Sequence, residues 1–107
     1  MHRHPTTQKA AKLLKVMGNP YRLHLLHLLT QGEKNVSELN AAIPISQPAL
    51  SQHLARLKRE GLITSRRAQR QIYYTIIGSD AVRLLQLAHE AAGGAPVVPG
   101  KAAAQSA

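Results

Sequence analysis

In the stretch ISQPALSQHLARLKREGLI, the side chains of Gln47, Pro48, Ser51 and Gln52 are followed at helical spacing by Arg56 and Arg59. Such a set is suited to recognition: an amide can donate and accept at one adenine edge, a hydroxyl serves several bases, and guanidinium groups suit phosphate oxygens. At about 100° per residue, Leu50, Leu54 and Leu57 fall close together on one buried face, which leaves Pro48, Ser51, Gln52, Ala55, Arg56 and Arg59 on the opposite arc. An ordinary solvated helix face would carry similar residues. Two features argue for more: a short helix and a tight turn at Pro44 precede the segment, and six of the 14 Lys and Arg residues lie between Arg56 and Arg70 against one acid, Glu60. The second half of that cationic run, Arg66, Arg67 and Arg70, falls in the turn RRAQR and suits phosphates or a narrow minor groove. It would serve equally to discourage strand pairing at a sheet edge.

The elements that must hold these residues can be read from caps and periodicity. Thr7 is expected to cap a first helix with Ala10, Leu13, Leu14 and Met17 on one face, closed by Gly18. Asn19-Pro20 opens a second, Pro20 to Thr30, apolar round most of its circumference and therefore expected at the centre. Asn35 with Glu38 three residues on starts a short third helix carrying Leu39, Ala42 and Ile43. Ser46 caps the fourth, which runs to about Glu60. Beyond Gly61, Ile72, Tyr74 and Ile76 alternate against Gln71, Tyr73 and Thr75, the signature of a small β-hairpin, although its turn lacks the Gly or Asn that favours a tight connection. A last helix from Ser79 carries Val82, Leu84, Leu85, Leu87 and Ala88. The expected fold is mainly α with a small β-hairpin, in the order α-α-α-α-β-β-α: a winged helix-turn-helix. One domain over residues 7–92 is expected, with a flexible arm over 1–6 and a Gly-, Pro- and Ala-rich flexible tail over 93–107.

Composition sets the bounds. The 107 residues suffice for one modest core, 14 Lys and Arg against 5 Asp and Glu give +9, and the pI is near 10.7. That excess favours a polyanionic partner. No apolar run approaches the roughly 18 residues of a membrane span, and MHRHP lacks the apolar segment of a signal peptide, so a cytoplasmic protein with no membrane partner is expected. With no cysteine there is no disulfide or thiolate chemistry. No nucleophile turn or phosphate-cradling loop is present, which excludes an enzyme of the usual kinds, and no cofactor is expected.

The runs LLKVMGNPYRLHLLHLL, VSEL, ISQPALSQHLARLKREGLI and RRAQRQIYYTI together resemble the ArsR/SmtB family of bacterial winged-helix regulators over residues 9 to 90, and most of all its HlyU-, BigR- and NolR-like branch. The resemblance implies a homodimeric repressor joined through its first and last helices and reading an inverted repeat in duplex DNA. It implies base reading by Gln47, Pro48, Ser51 and Gln52 and phosphate or wing contacts by Ser46, Arg56, Arg59, Arg66, Arg67 and Arg70. It places dimer contacts at Leu13, Leu14, Met17, Leu84, Leu87 and Ala88. The apolar positions agree, since Leu14 and Met17 exceed what one small core requires. Ser51 and His53 match the family's SxHL pattern, His53 being expected in a structural role near the buried face.

Many members of that family are switched by metals or thiols, and here the corresponding segments depart from the pattern. NVSELNAA offers no cysteine, GSD and AAGG lack the zinc ligands of the last helix, and the two persulfide-sensing cysteines align with His27 and about Gly93. His24 and His27, three apart, could share a metal, and His89 with Glu90 could add ligands; His2 and His4 stand near the start of the chain. A polar edge on a buried helix accounts for His24 and His27 equally well. The expected protein is a repressor that answers to none of these metal or thiol signals. A His-based metal-responsive repressor is the alternative, and a winged helix that docks protein or RNA is a further one.

Overall fold

The computed structural model describes residues 4–94, so that residues 1–3 of the expected arm and 95–107 of the expected tail lie outside the described residues. Helix α1 spans Pro5–Met17, α2 Pro20–Leu29, α3 Val36–Ala42, α4 Gln47–Arg59 and α5 Asp80–Ala91; strands β1, β2 and β3 are Lys34–Asn35, Ile63–Ala68 and Gln71–Ile76. Four of the five helices begin on a side chain that accepts an otherwise unpaired backbone N–H. Asn19 Oδ1 accepts from the amides of Tyr21 and Arg22 at 2.9 and 3.1 Å. Asn35 and Glu38 form a reciprocal capping box at 2.8 and 2.9 Å, and Ser46 Oγ accepts from Ala49 N–H at 3.3 Å. The first helix departs from expectation. His4 is its cap, with Nδ1 accepting from Thr7 N–H at 3.4 Å, because Pro5 already holds the φ a first helical residue needs. Thr7 thus lies inside the first turn, and helix replaces the last two residues of the expected arm.

The core is aliphatic and centred on α2, whose Leu25, Leu26 and Leu29 are buried. Leu50, Leu54 and Leu57 of α4 are likewise buried, each worth roughly 1.5–3 kcal/mol. Val16, which the sequence reading passed over, is buried beside them, and so is Met17 at 4% exposure. The expectation that Met17 would need a second copy to cover it is corrected: the turn at Gly18 and Asn19 folds the end of α1 onto α2. A Cβ at Gly18 would stand 3.0 Å from the Leu14 carbonyl oxygen, so glycine is the residue that lets this turn close.

The hairpin of β2 and β3 is present, but the sheet has a third strand. Its order is β1-β3-β2, antiparallel throughout, with Asn35 opposite Tyr73 and Arg66 opposite Tyr73 from the other side. Asn35 therefore ends β1 and caps α3 at once, joining the sheet directly to the first helix of the helix-turn-helix. Gly61, at φ +78°, ends α4: Leu62 N–H donates to Leu57 O at 3.0 Å and Gly61 N–H to Lys58 O at 3.0 Å, the paired bonds of a left-handed helix terminus. From there the chain runs straight into β2.

Candidate nucleic-acid interface

The leucine spine of α4 faces the core, and Gln47, Pro48, Ser51, Gln52, Ala55 and Arg59 are all exposed on its other side. Ser46 has its hydroxyl engaged as the helix cap. Arg56 is half-buried. Its Nε stands 3.6 Å from a Glu60 carboxylate oxygen, and Glu60 also meets Lys12 at 3.3 Å. Arg22, at the start of α2, donates through Nε to the Val16 carbonyl at 2.5 Å; its pKa is lowered by burial and by the nearby Arg56 cation. His53 is half-buried with its ring 5.5 Å from that of Tyr21, and burial together with Arg22 lowers its pKa.

Strand alternation divides the wing into two faces. Ser65 and Arg67 share one with Tyr74 and Ile72, while Arg66 shares the other with Tyr73 and Thr75. The first face is turned towards α4, since Lys58 Nζ donates to Ser65 Oγ at 2.8 Å. Arg66 is on the far face, where Nε and Nη2 donate to the Glu33 carboxylate at 2.7 and 2.6 Å. That pairing lowers the Glu33 pKa and raises that of Arg66. At the tip, Ala68 pairs with Gln71, leaving a two-residue connection with Gln69 at φ +52° and Arg70 at φ +69°. The tight turn that the composition argued against is therefore formed, with two non-glycine residues in the left-handed region.

A cleft of about 260 Å³ joins the two parts. Val36, Ser37, Gln47, Arg70, Gln71 and Ile72 line it, so the N-terminal end of α4 and the wing tip face one space. Asn35 Nδ2 donates to Gln71 Oε1 at 2.5 Å, which fixes the Gln71 amide beside that cleft. Amides, a hydroxyl and a guanidinium around an open cationic cleft are equipped to hydrogen-bond polar edges and phosphate oxygens, and no acid lines it. Ser37, Gln71, Arg22 and Glu33 were not singled out by the sequence; for Gln71 and Glu33 the partners lie far along the chain, 36 residues away at Asn35 and 33 at Arg66.

Elsewhere, α1 and α5 present apolar side chains to solvent: Leu14 is 58% and Leu87 63% exposed, and Ala88 is exposed beside them. Leu13 and Leu84 are half-buried against the core. A shallow groove of about 140 Å³ between the two helices is lined by Leu14, Met17, Gly18, Leu23, Leu84 and Ala88.

The histidine candidates separate. His24 is exposed, whereas the rings of His27 and His89 stack with centroids 5.4 Å apart and planes inclined by 28°. His89 Nδ1–H donates to the Leu85 carbonyl at 3.0 Å, and His27 Nδ1 is buried without a hydrogen-bond partner. A metal must lie in the plane of each imidazole it binds. Rings stacked face to face do not aim two nitrogens at one point, and among the described residues no three His, Asp or Glu side chains gather into a metal cage.

Comparison with known proteins gives a consistent result. Residues 19–65 match the family described as bacterial regulatory protein, arsR family. The transcriptional activator HlyU of Vibrio cholerae is 41% identical over 81 residues, spanning 76% of this chain and 75% of that protein. The biofilm growth-associated repressor of Agrobacterium fabrum is 42% identical over 78 residues, 73% of this chain and 67% of the repressor. The crystal structure of NolR from Sinorhizobium fredii superposes with a TM-score of 0.79 at 33% identity, covering 89% of this chain and 99% of that one.

Proposed function

The chain belongs to the ArsR family of bacterial transcriptional regulators, and from that premise we infer that it acts as a homodimeric repressor on an inverted repeat in duplex DNA. The fold is the winged helix-turn-helix of its relatives, which are regulators and not enzymes. The observation that carries the reading is the shared cleft between the N-terminal end of α4 and the wing tip, lined by Gln47, Arg70 and Gln71. In this reading α4 enters the major groove with Gln47, Pro48, Ser51 and Gln52 at base edges. Arg59 and Arg67 meet the phosphates beside it, and Arg70 reaches the backbone or minor groove from the wing. Arg56, half-buried beside Glu60, has a smaller share, and Ser46 contributes by capping the helix.

The partner in the dimer is a second copy, with Leu14, Leu87 and Ala88 at the centre of the contact and Leu13 and Leu84 at its base. Two α4 helices related by a twofold axis then read the two halves of the repeat. Work on chromosomal DNA places the protein in the cytoplasm, and among the described residues no helix is long and apolar enough to cross a membrane. Residues 7–92 form the working unit, with α1 extended back to Pro5.

The deciding experiment is selection of bound duplexes from a randomised pool, followed by titration of the selected duplex, a scrambled duplex, a single strand and RNA over a salt series. An inverted repeat should emerge, bound far more tightly than the other three, with affinity falling steeply as salt rises. Equal affinity for all four would refute the reading and favour a general nucleic-acid module.

A further inference from the structure

Glu33 stands in the turn between α2 and β1, away from α4 and from the wing tip. Its carboxylate accepts two bonds from Arg66, at 2.7 and 2.6 Å, and one from Thr75 Oγ1 at 3.4 Å. The Arg66 guanidinium lies over the Tyr73 ring, 4.9 Å from its centroid. Because β3 is the middle strand, the Arg66 side chain crosses it from β2 to reach the residue just before β1. One end of this bridge is in the wing and the other leads, through two residues of β1, into α3. Asn35 makes a parallel connection, with its side chain on Gln71 at the base of the wing tip. A bidentate guanidinium–carboxylate pair fixes both a distance and a plane, which a lysine would not. Exposed pairs contribute little to global stability, so this one is better suited to setting an angle than to holding the fold together.

We propose that Glu33, acting through Arg66, is a positioning residue for DNA recognition: the pair sets the wing against the helix-turn-helix and keeps Arg67 and Arg70 in register with Gln47–Gln52. This rests on the duplex-binding reading above. It makes Arg66 a strut and removes it from the phosphate contacts that the sequence suggested. It also carries an unusual sign. Deleting a negative charge from a protein of net charge +9 should strengthen its attraction to any duplex. Deleting the charge of Glu33 should instead weaken recognition of the right one.

The test compares wild type, Glu33→Gln, Arg66→Ala and the double variant on two duplexes of equal length, one selected by the wild-type protein from a randomised pool and one scrambled. Thermal unfolding confirms that each variant is folded. Glu33→Gln should lower the ratio of selected to scrambled affinity by about three- to tenfold, with scrambled binding unchanged or tighter, as expected for a coupled pair. Arg66→Ala should lower the ratio by a similar factor without changing the salt slope, and the double variant should be no worse than either single. Equal tightening on both duplexes in Glu33→Gln would reduce Glu33 to a bulk charge and overturn the proposal. So would an Arg66→Ala loss shared by both duplexes with a salt slope smaller by about one, the mark of a phosphate ligand. If the wild-type protein selects no duplex, the duplex-binding reading itself has failed, a result distinct from either of these.

Discussion

In the duplex-binding reading, the exposed side chains of Gln52 and Arg67 divide the work of recognition. A glutamine amide can pair bidentately with one adenine edge, so Gln52→Ala should relax base preference at one position of the selected site, at a cost of about 1–3 kcal/mol there and little on scrambled DNA. Arg67→Ala should weaken every duplex by a similar factor and make the salt slope shallower. Isothermal titration or fluorescence anisotropy on the two duplexes separates these outcomes, and equal losses on both for Gln52→Ala would remove it from the base readers. His27 makes a different prediction. Burial first, then His89 and His24, lower its pKa below the ordinary 6.5. The unfolded chain therefore binds this proton at higher pH than the folded one, and the stability associated with neutral His27 is whole above 6.5 and lost as pH falls towards the lowered value. The midpoint of thermal unfolding should decline from pH 6.5 downward, and His27→Phe, which keeps a ring against His89, should flatten that decline. Glu33, whose pKa is lowered chiefly by its hydrogen bonds from Arg66, has its window below the ordinary 4.5, so the two effects are separable by pH.

Among the elements, the wing carries a cost the helices do not. Its two-residue connection holds Gln69 and Arg70 at positive φ, where a side chain bearing Cβ is disfavoured by roughly 1–2 kcal/mol. Gln69→Gly should raise stability by up to about 1 kcal/mol in urea unfolding, since the gain in left-handed preference exceeds the entropy lost to glycine. A loss of stability would mean that the Gln69 side chain makes a contact worth more than the strain. The elements also show what a sequence discloses. Asn19 with Pro20, Asn35 with Glu38, and Ser46 are legible because a cap and its target lie within three residues, and the leucine spine is legible because periodicity is local. Strand β1 is not: two residues carry no alternation, and what makes them a strand is Tyr73 and Tyr74 nearly forty residues on. Arg66 was assigned to DNA from its place in a cationic turn; its carboxylate partner could be found only once the sheet had brought Glu33 beside it. The same holds for His27 and His89, whose stacking depends on the packing of α2 against α5.

For the whole molecule, the proposed assembly rests on α1 and α5. Leu14 and Leu87 are large, apolar and more than half exposed, and the proposed dimer contact would cover both. Leu14→Glu with Leu87→Glu should shift sedimentation from dimer to monomer and reduce affinity for the selected repeat by at least tenfold, because each half-site then binds alone. Unchanged sedimentation would move the contact elsewhere. Within the chain, the turn at Gly61 and the bond from Lys58 to Ser65 link α4 to the hairpin. Together with the Glu33–Arg66 pair on the other face of the sheet, they hold the hairpin at one angle to α4, like the tines of a fork. In the duplex-binding reading, the distance along the duplex between the base pairs met by α4 and those met by the wing is thus set by the protein, whatever sequence lies between them. One base pair inserted there would displace one contact by about 3.4 Å and rotate it by roughly 35°, a misfit that this spacing opposes.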